Sequence, residues 1–149
     1  MVGRGDVART GRSGRAPQED PTLRPQRSVL IVDRSEDSQE VLRTVLERRG
    51  WRTLAARRAE EGLEMARRYQ PDLIVLDLEL EECPPEDVYP RFERQASASG
   101  HHLIALGTVR PRGAGHGHGQ FVAKPYHYGP LVRRIEQMLE QRSVVARAG

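Results

Sequence analysis

The sequence predicts a doubly wound α/β domain, in which helices cover both faces of a parallel sheet. From residue 28 onwards, short apolar runs typical of strands alternate with segments whose apolar residues recur at helical spacing. The run VLIV and the run LIVL within DLIVLD are apolar at consecutive positions, which is typical of parallel strands buried on both faces. Right-handed crossovers through the helices would join successive strands.

The first half of the domain contains three predicted strands and two helices. VLIV predicts the first strand, after which Ser35 is the expected N-cap of a helix with an acidic first turn. Gly50 is a suitable C-terminal stop for that helix. WRTLAA then predicts the second strand, RAEEGLEMARRYQ a second helix that ends before Pro71, and DLIVLD the third strand.

The second half is less regular. Residues from Pro84 to Ser99 predict a weaker third helix that Pro90 interrupts. HHLIALG and QFVAK predict the fourth and fifth strands. Pro130 is expected at the first position of the last helix. The predicted inner face of that helix consists of Leu131, Ile135, Met138 and Leu139.

The net charge of +3 is unevenly distributed along the chain. Residues 1–27 contain six arginines and three acidic residues, whereas residues 28–149 contain 18 basic and 18 acidic residues. The basic excess therefore belongs to the N-terminal segment, and we expect no nucleic-acid binding by the domain. Residues 1–27 are rich in Gly, Pro and Arg and are predicted to be a disordered tail.

Composition also limits the location and the chemistry. The longest apolar runs have four residues, too short to span a membrane, and no apolar signal segment begins the chain. Cys83 is the only cysteine, so a reducing cytoplasm is the expected location. The sequence contains no P-loop, no dinucleotide-binding glycine fingerprint at a strand end and no nucleophile elbow, so we expect no enzyme of those kinds.

Charged residues follow three of the predicted strands. The first strand ends at Asp33 and Arg34, the third at Asp77, and the fifth at Lys124, the only lysine among 24 basic residues. Ligands of doubly wound sheets bind beyond the carboxyl ends of the strands. Two carboxylates and one ammonium group are therefore predicted to converge on one edge of the sheet.

Four segments carry a resemblance to a known family: VLIVDRSEDSQEVLRTVLERRGW, PDLIVLDLEL, HLIALGT and FVAKPY. They resemble the response-regulator receiver domain of two-component signalling, in the CheY-like superfamily, over residues 28–142. Residues 143–149 would then form a short C-terminal tail. The resemblance implies the flavodoxin-like receiver fold, with a five-stranded parallel sheet in the order 2-1-3-4-5.

The resemblance also implies a role for each strand-end residue. Asp77 corresponds to the phospho-acceptor, whose carboxylate attacks a phosphoryl group on a kinase histidine. Asp33, Asp77 and the backbone carbonyl of Glu79 would hold Mg²⁺. Lys124 would pair with the phosphoryl oxygens, and its bond to Pro125 is expected to be cis. The implied partner is a histidine kinase or another signalling protein, and the only activity expected of the chain itself is self-phosphorylation on Asp77.

Arg34 departs from the family pattern, which has a second acidic metal ligand at this position. We therefore expect weak Mg²⁺ binding. Two orientations of Arg34 are open. The guanidinium could bridge Asp33 and Asp77 and replace the metal, or it could turn to solvent.

Further departures affect the positions that report phosphorylation in the family. Gly107 stands where the family has Ser or Thr, Thr108 follows it, and Phe121 takes the place of the switch aromatic. The segment from Gly107 to Lys124 is short and rich in glycine, which disfavours a helix. The fourth helix of the family is therefore predicted to be missing or shortened. The two histidines of this segment, His116 and His118, are expected to be solvated rather than to bind a metal.

Two functions are compatible with these residues. In the first, the chain is a single-domain response regulator in a phosphorelay and accepts a phosphoryl group on Asp77. In the second, it is a pseudo-receiver that acts as a protein-interaction module without phosphorylation, with Arg34 in place of the metal. The cluster of Asp33, Asp77 and Lys124 would then be a structural ion-pair network.

Overall fold

The computed structural model describes residues 27–114 and 119–148, with side chains as far as residue 140. The elements along this part of the chain are β1 (Ser28–Val32), α1 (Glu36–Arg48), β2 (Arg52–Ala56), α2 (Ala59–Tyr69), β3 (Leu73–Asp77), α3 (Pro85–Ser99), β4 (His102–Gly107), β5 (Gly119–Ala123) and α4 (Tyr128–Ala148). The five strands are parallel and form one sheet in the order β2-β1-β3-β4-β5. This order confirms the prediction.

The apolar strands bury alternate residues on the two faces of the sheet. In β1, Leu30 and Val32 pack against α2 and α3, whereas Val29 and Ile31 pack against α1 and α4. All four side chains are fully buried, as expected for a parallel strand between two helical layers. The predicted inner face of the last helix is confirmed by the burial of Leu131, Ile135, Met138 and Leu139.

The predicted start of the first helix is also confirmed. The Ser35 hydroxyl accepts a hydrogen bond of 3.2 Å from the Ser38 N–H, so it satisfies one of the donors that the first helical turn leaves free. The helix ends at Arg48, and Gly50 follows with a φ of 91°. That left-handed conformation costs glycine little. As the N-cap of α1, Ser35 marks the end of the short loop that follows β1.

Prolines were less reliable guides to the helix boundaries. The predicted interruption at Pro90 is wrong, because α3 runs unbroken from Pro85 to Ser99. Pro90 lacks the N–H that would donate to the carbonyl of Glu86, an exposed residue. The last helix begins at Tyr128, so Pro130 is its third residue rather than its first, and it continues to Ala148.

The segment between β4 and β5 is short. Its described residues, 108–114, contain bends and a turn but no helix, in agreement with the predicted loss or shortening of a helix here. His116 and His118 lie outside the described residues, as do residues 1–26 of the predicted tail. No helix in the described part of the chain is long and apolar enough to cross a membrane.

Candidate functional site

The structure brings three strand-end residues together at the carboxyl edge of the sheet. Asp33 follows β1, Asp77 ends β3 and Lys124 follows β5. The two carboxyl groups belong to residues that are only 4% and 7% exposed. The Lys124 Nζ lies 2.9 Å from Asp77 Oδ1. The convergence that the sequence predicted is therefore present, and the bond between Lys124 and Pro125 is cis, as expected.

Asp33 is held by the loop that follows β1. The Ser35 N–H donates a hydrogen bond of 2.9 Å to Asp33 Oδ1. The buried Gln39 side chain donates to two strand-end carbonyls, at 2.7 Å to Asp33 and at 3.0 Å to Ala56. Sequence reasoning missed Gln39. Its position, three residues before Leu42 on the inner face of α1, was the available signal.

The environment of Asp33 disfavours its ionised form. Burial raises its pKa, the hydrogen bond from Ser35 opposes this effect, and the neighbouring Asp77 carboxylate raises the pKa further, to about 6. The two carboxyl groups are therefore close enough for one to disfavour ionisation of the other. They therefore form a buried acidic pair that a proton or a cation would stabilise.

The Glu79 side chain is a second functional group that sequence reasoning missed, because it considered only the backbone carbonyl. Lys124 Nζ donates to Glu79 Oε1 at 3.0 Å. Thr108 donates to Glu79 Oε2 through its hydroxyl at 3.0 Å and through its backbone N–H at 3.3 Å. The available signal was the position of this acid, two residues after Asp77.

These contacts shift the pKa values of both partners. The hydrogen bond from Lys124 is the largest cause that lowers the pKa of Glu79. For Lys124, burial opposes the charged form, but the hydrogen bonds to Asp77 and Glu79 outweigh it and raise the pKa of the ammonium group. Lys124 therefore remains protonated and shared between two carboxylates.

Of the two orientations left open for Arg34, the structure has the one that turns to solvent, and Arg34 does not bridge Asp33 and Asp77. The Arg34 side chain is 54% exposed, and its guanidinium lies 3.4 Å from Glu81 Oε2. The Arg34 side chain is directed outward because Glu81, on the loop after β3, is an exposed partner, whereas Asp33 and Asp77 are buried. Without Arg34, the site contains the carboxylates of Asp33, Asp77 and Glu79 and the ammonium of Lys124.

The three predicted switch positions, Gly107, Thr108 and Phe121, each have a distinct set of contacts in the structure. A Cβ atom at Gly107 would lie 3.1 Å from Leu78 Cδ1, so a larger residue would require the buried Leu78 to move. The Thr108 hydroxyl is directed to Glu79. Phe121 is half-buried, and the Arg110 guanidinium carbon lies over its ring, 5.3 Å from the ring centroid.

A small divalent cation could use only part of this site. Asp33 and Asp77 present two adjacent buried carboxylates, and hard cations such as Mg²⁺ prefer such oxygen ligands. Among the described residues, no group of three or more acidic, histidine or cysteine side chains is arranged to hold a metal ion. The chain would therefore offer these two carboxylates and a backbone carbonyl, with water completing the coordination.

Comparison with known proteins identifies the family. The model of the response regulator receiver domain matches residues 29–136, so this chain belongs to that family, as its motifs indicated. A curated relative is the polar-differentiation response regulator DivK of Brucella anthropi, which is 38% identical over 56 residues. The match covers 38% of this chain and 46% of that protein, so it spans less than half the length of the relative.

Solved structures share the fold at low sequence identity. The signal receiver domain of a putative Luxo repressor protein from Vibrio parahaemolyticus has a TM-score of 0.71 and 18% identity, over 83% of this chain and 98% of that one. The chemotaxis protein CheY4 of Vibrio cholerae has a TM-score of 0.62 and 19% identity, over 76% and 99%. These likenesses establish the receiver fold.

Proposed function

We propose that this protein is a response regulator that accepts a phosphoryl group on Asp77 from a histidine kinase or a phosphotransfer protein. The observation that carries the proposal is the environment of the Asp77 carboxylate. Its Oδ1 accepts hydrogen bonds of 2.9 Å from Lys124 Nζ and from the Glu79 N–H. These bonds hold the carboxylate in one orientation at the edge of the sheet, and Oδ2 is the oxygen that we assign as the nucleophile.

The proposed transfer exchanges one bond to phosphorus for another. Oδ2 of Asp77 forms a P–O bond while the P–N bond to the donor histidine breaks. The electron pair of that bond returns to the imidazole nitrogen, which takes up a proton from water, and the product on Asp77 is an acyl phosphate. The ammonium group of Lys124 stabilises the negative charge of the phosphoryl oxygens during the transfer.

Asp33, Asp77 and the carbonyl of Glu79 are the groups that would hold Mg²⁺ in this proposal. The bound cation would neutralise charge between the acceptor and the phosphoryl group. Because position 34 contributes no carboxylate, binding is expected to be weak. The burial of Asp33 and Asp77 supports a cation at this position, since burial of two adjacent carboxylates is costly without one.

A phosphorylation-independent interaction module is the second candidate. Gly107 favours it, because this position supplies no hydroxyl to a phosphoryl group and Leu78 fills the space beside it. The version in which Arg34 replaces the metal is not supported, since Arg34 contacts Glu81 instead. The two candidates differ in one property, the reactivity of Asp77.

Intact mass after incubation with phosphoramidate separates the two candidates. The full chain is incubated with and without Mg²⁺, beside Asp77→Asn and Asp87→Asn. Asp87 is exposed in the first turn of α3 and serves as the control for loss of a carboxylate. We expect a Mg²⁺-dependent gain of one phosphoryl group in the native and Asp87→Asn proteins and none in Asp77→Asn. No gain in folded native protein would reject the phosphorelay function.

A further inference from the structure

Three hydrogen-bond donors converge on the carboxylate of Glu79. They are the Nζ of Lys124 at 3.0 Å, the Thr108 hydroxyl at 3.0 Å and the Thr108 N–H at 3.3 Å. One ammonium group, one hydroxyl and one backbone N–H around a single anion form an anion-binding arrangement. In this structure the anion is part of the chain.

This arrangement shares a donor with the acceptor carboxylate. Lys124 Nζ contacts Asp77 Oδ1 and Glu79 Oε1 at the same time. A phosphoryl group on Asp77 would carry anionic oxygens into the neighbourhood of that ammonium. It would then compete with Glu79 for Lys124, because like charges around one cation repel each other.

Glu79 is able to leave the site. Its side chain is 40% exposed, and it lies on the loop that follows β3. Asp77 and Lys124 are held more firmly, since their side chains are 9% and 25% exposed. Displacement by a stronger anion would therefore move Glu79 toward solvent and would leave the less exposed Asp77 and Lys124 in place.

We propose that the carboxylate of Glu79 is an internal anion that occupies the phosphoryl-binding position beside Asp77, and that phosphorylation displaces it. This inference rests on the proposed function of Asp77. Glu79 slows phosphorylation by holding Lys124 and Thr108. Its departure releases Thr108, the first residue after β4, and passes the signal to residues 108–114. Glu79 thereby supplies a reporting contact in a site where Gly107 has no hydroxyl.

Two variants of Glu79 and one matched control test the proposal. Glu79→Ala removes the internal anion, and Glu79→Gln removes its charge while retaining its size. Glu81→Gln removes the same charge two residues further along, where the carboxylate contacts the exposed Arg34 rather than Lys124. All three changes are made in the full chain.

The first measurement requires no phosphorylation. Inorganic phosphate is titrated into each protein, and the Thr108 amide is followed in ¹H–¹⁵N spectra. We expect phosphate to bind Glu79→Ala about tenfold more tightly than the native protein, as expected for the loss of a competing charged hydrogen-bond acceptor. Glu81→Gln should bind like the native protein. Equal affinities in Glu79→Ala and native protein would overturn the internal-anion proposal.

The second measurement separates this proposal from the proposed function. Phosphorylation rates with phosphoramidate and Mg²⁺ should rise about tenfold in both Glu79 variants and stay unchanged in Glu81→Gln. Equal rates in native and Glu79→Ala proteins would overturn the gating role. If no protein is phosphorylated while Glu79→Ala binds phosphate more tightly, the phosphorelay function fails and the anion-binding role of the site stands.

Discussion

Replacement of Asp33 by Asn should stabilise the metal-free protein at neutral pH. Asp33 is 4% exposed and lies beside the buried Asp77. Asn is close in shape to Asp, and its Oδ1 can still accept the hydrogen bond that Ser35 donates. The substitution therefore removes the buried charge and leaves the loop after β1 intact.

The size and the sign of the effect follow from the pKa of Asp33. Burial and the Asp77 carboxylate raise that pKa from 3.8 to about 6, despite the Ser35 N–H. A carboxyl group whose pKa is higher in the folded than in the unfolded state favours folding most at a pH low enough to protonate it in both states. The contribution of Asp33 to the free energy of unfolding is therefore fully present below about pH 4 and is lost as the pH rises through about 6. The difference between the two pKa values corresponds to at most about 3 kcal/mol.

Urea unfolding between pH 3.5 and pH 8, in buffer with EDTA, measures this contribution. The free energy of unfolding of Asp33→Asn, relative to that of the native protein, should increase by about 2–3 kcal/mol from the lowest to the highest pH. Glu64→Gln, an exposed carboxyl paired with Arg67, should show no such growth. Added Mg²⁺ should stabilise the native protein more than Asp33→Asn. A difference in unfolding free energy between Asp33→Asn and the native protein that is constant with pH would refute the reasoning. A variant less stable than the native protein at pH 8 would refute it too.

Three further substitutions test single contacts. Gly107→Ser should lower the free energy of unfolding by about 1–2 kcal/mol, because the serine Cβ crowds the buried Leu78. A thermal midpoint equal to that of the native protein would contradict this prediction. Gln39→Leu removes the side-chain donor of the Asp33 carbonyl and one of the two donors of the Ala56 carbonyl, which keeps the Asp33 N–H. It should cost about 1–3 kcal/mol in urea unfolding, and a cost near zero would show that the Asp33 carbonyl finds another donor. Arg34→Asp should tighten Mg²⁺ binding in calorimetry by about tenfold, and an unchanged affinity would show that position 34 does not reach the cation.

The layout of the sheet was accessible from sequence patterns. The run LIVL of β3 is apolar at every position, and only a strand covered on both faces buries all four of its side chains. Once the strands are parallel, their carboxyl ends share one edge of the sheet. Asp33, Asp77 and Lys124 were therefore predictable as neighbours, although they are far apart in the chain. The strand order came from the family resemblance rather than from the residue pattern.

The directions of the polar side chains depended on contacts between distant segments. Arg34 adjoins Asp33 in sequence, yet its partner is Glu81 from the loop after β3. Glu79 contacts Lys124 and Thr108, which follow two other strands. Long charged side chains have several rotamers of similar energy. The rotamer that is populated is therefore the one that brings the charge to a partner in the folded chain, and that partner is not evident from the sequence. Backbone patterning thus placed the acceptor carboxylate, whereas packing of separate loops decided which charges surround it.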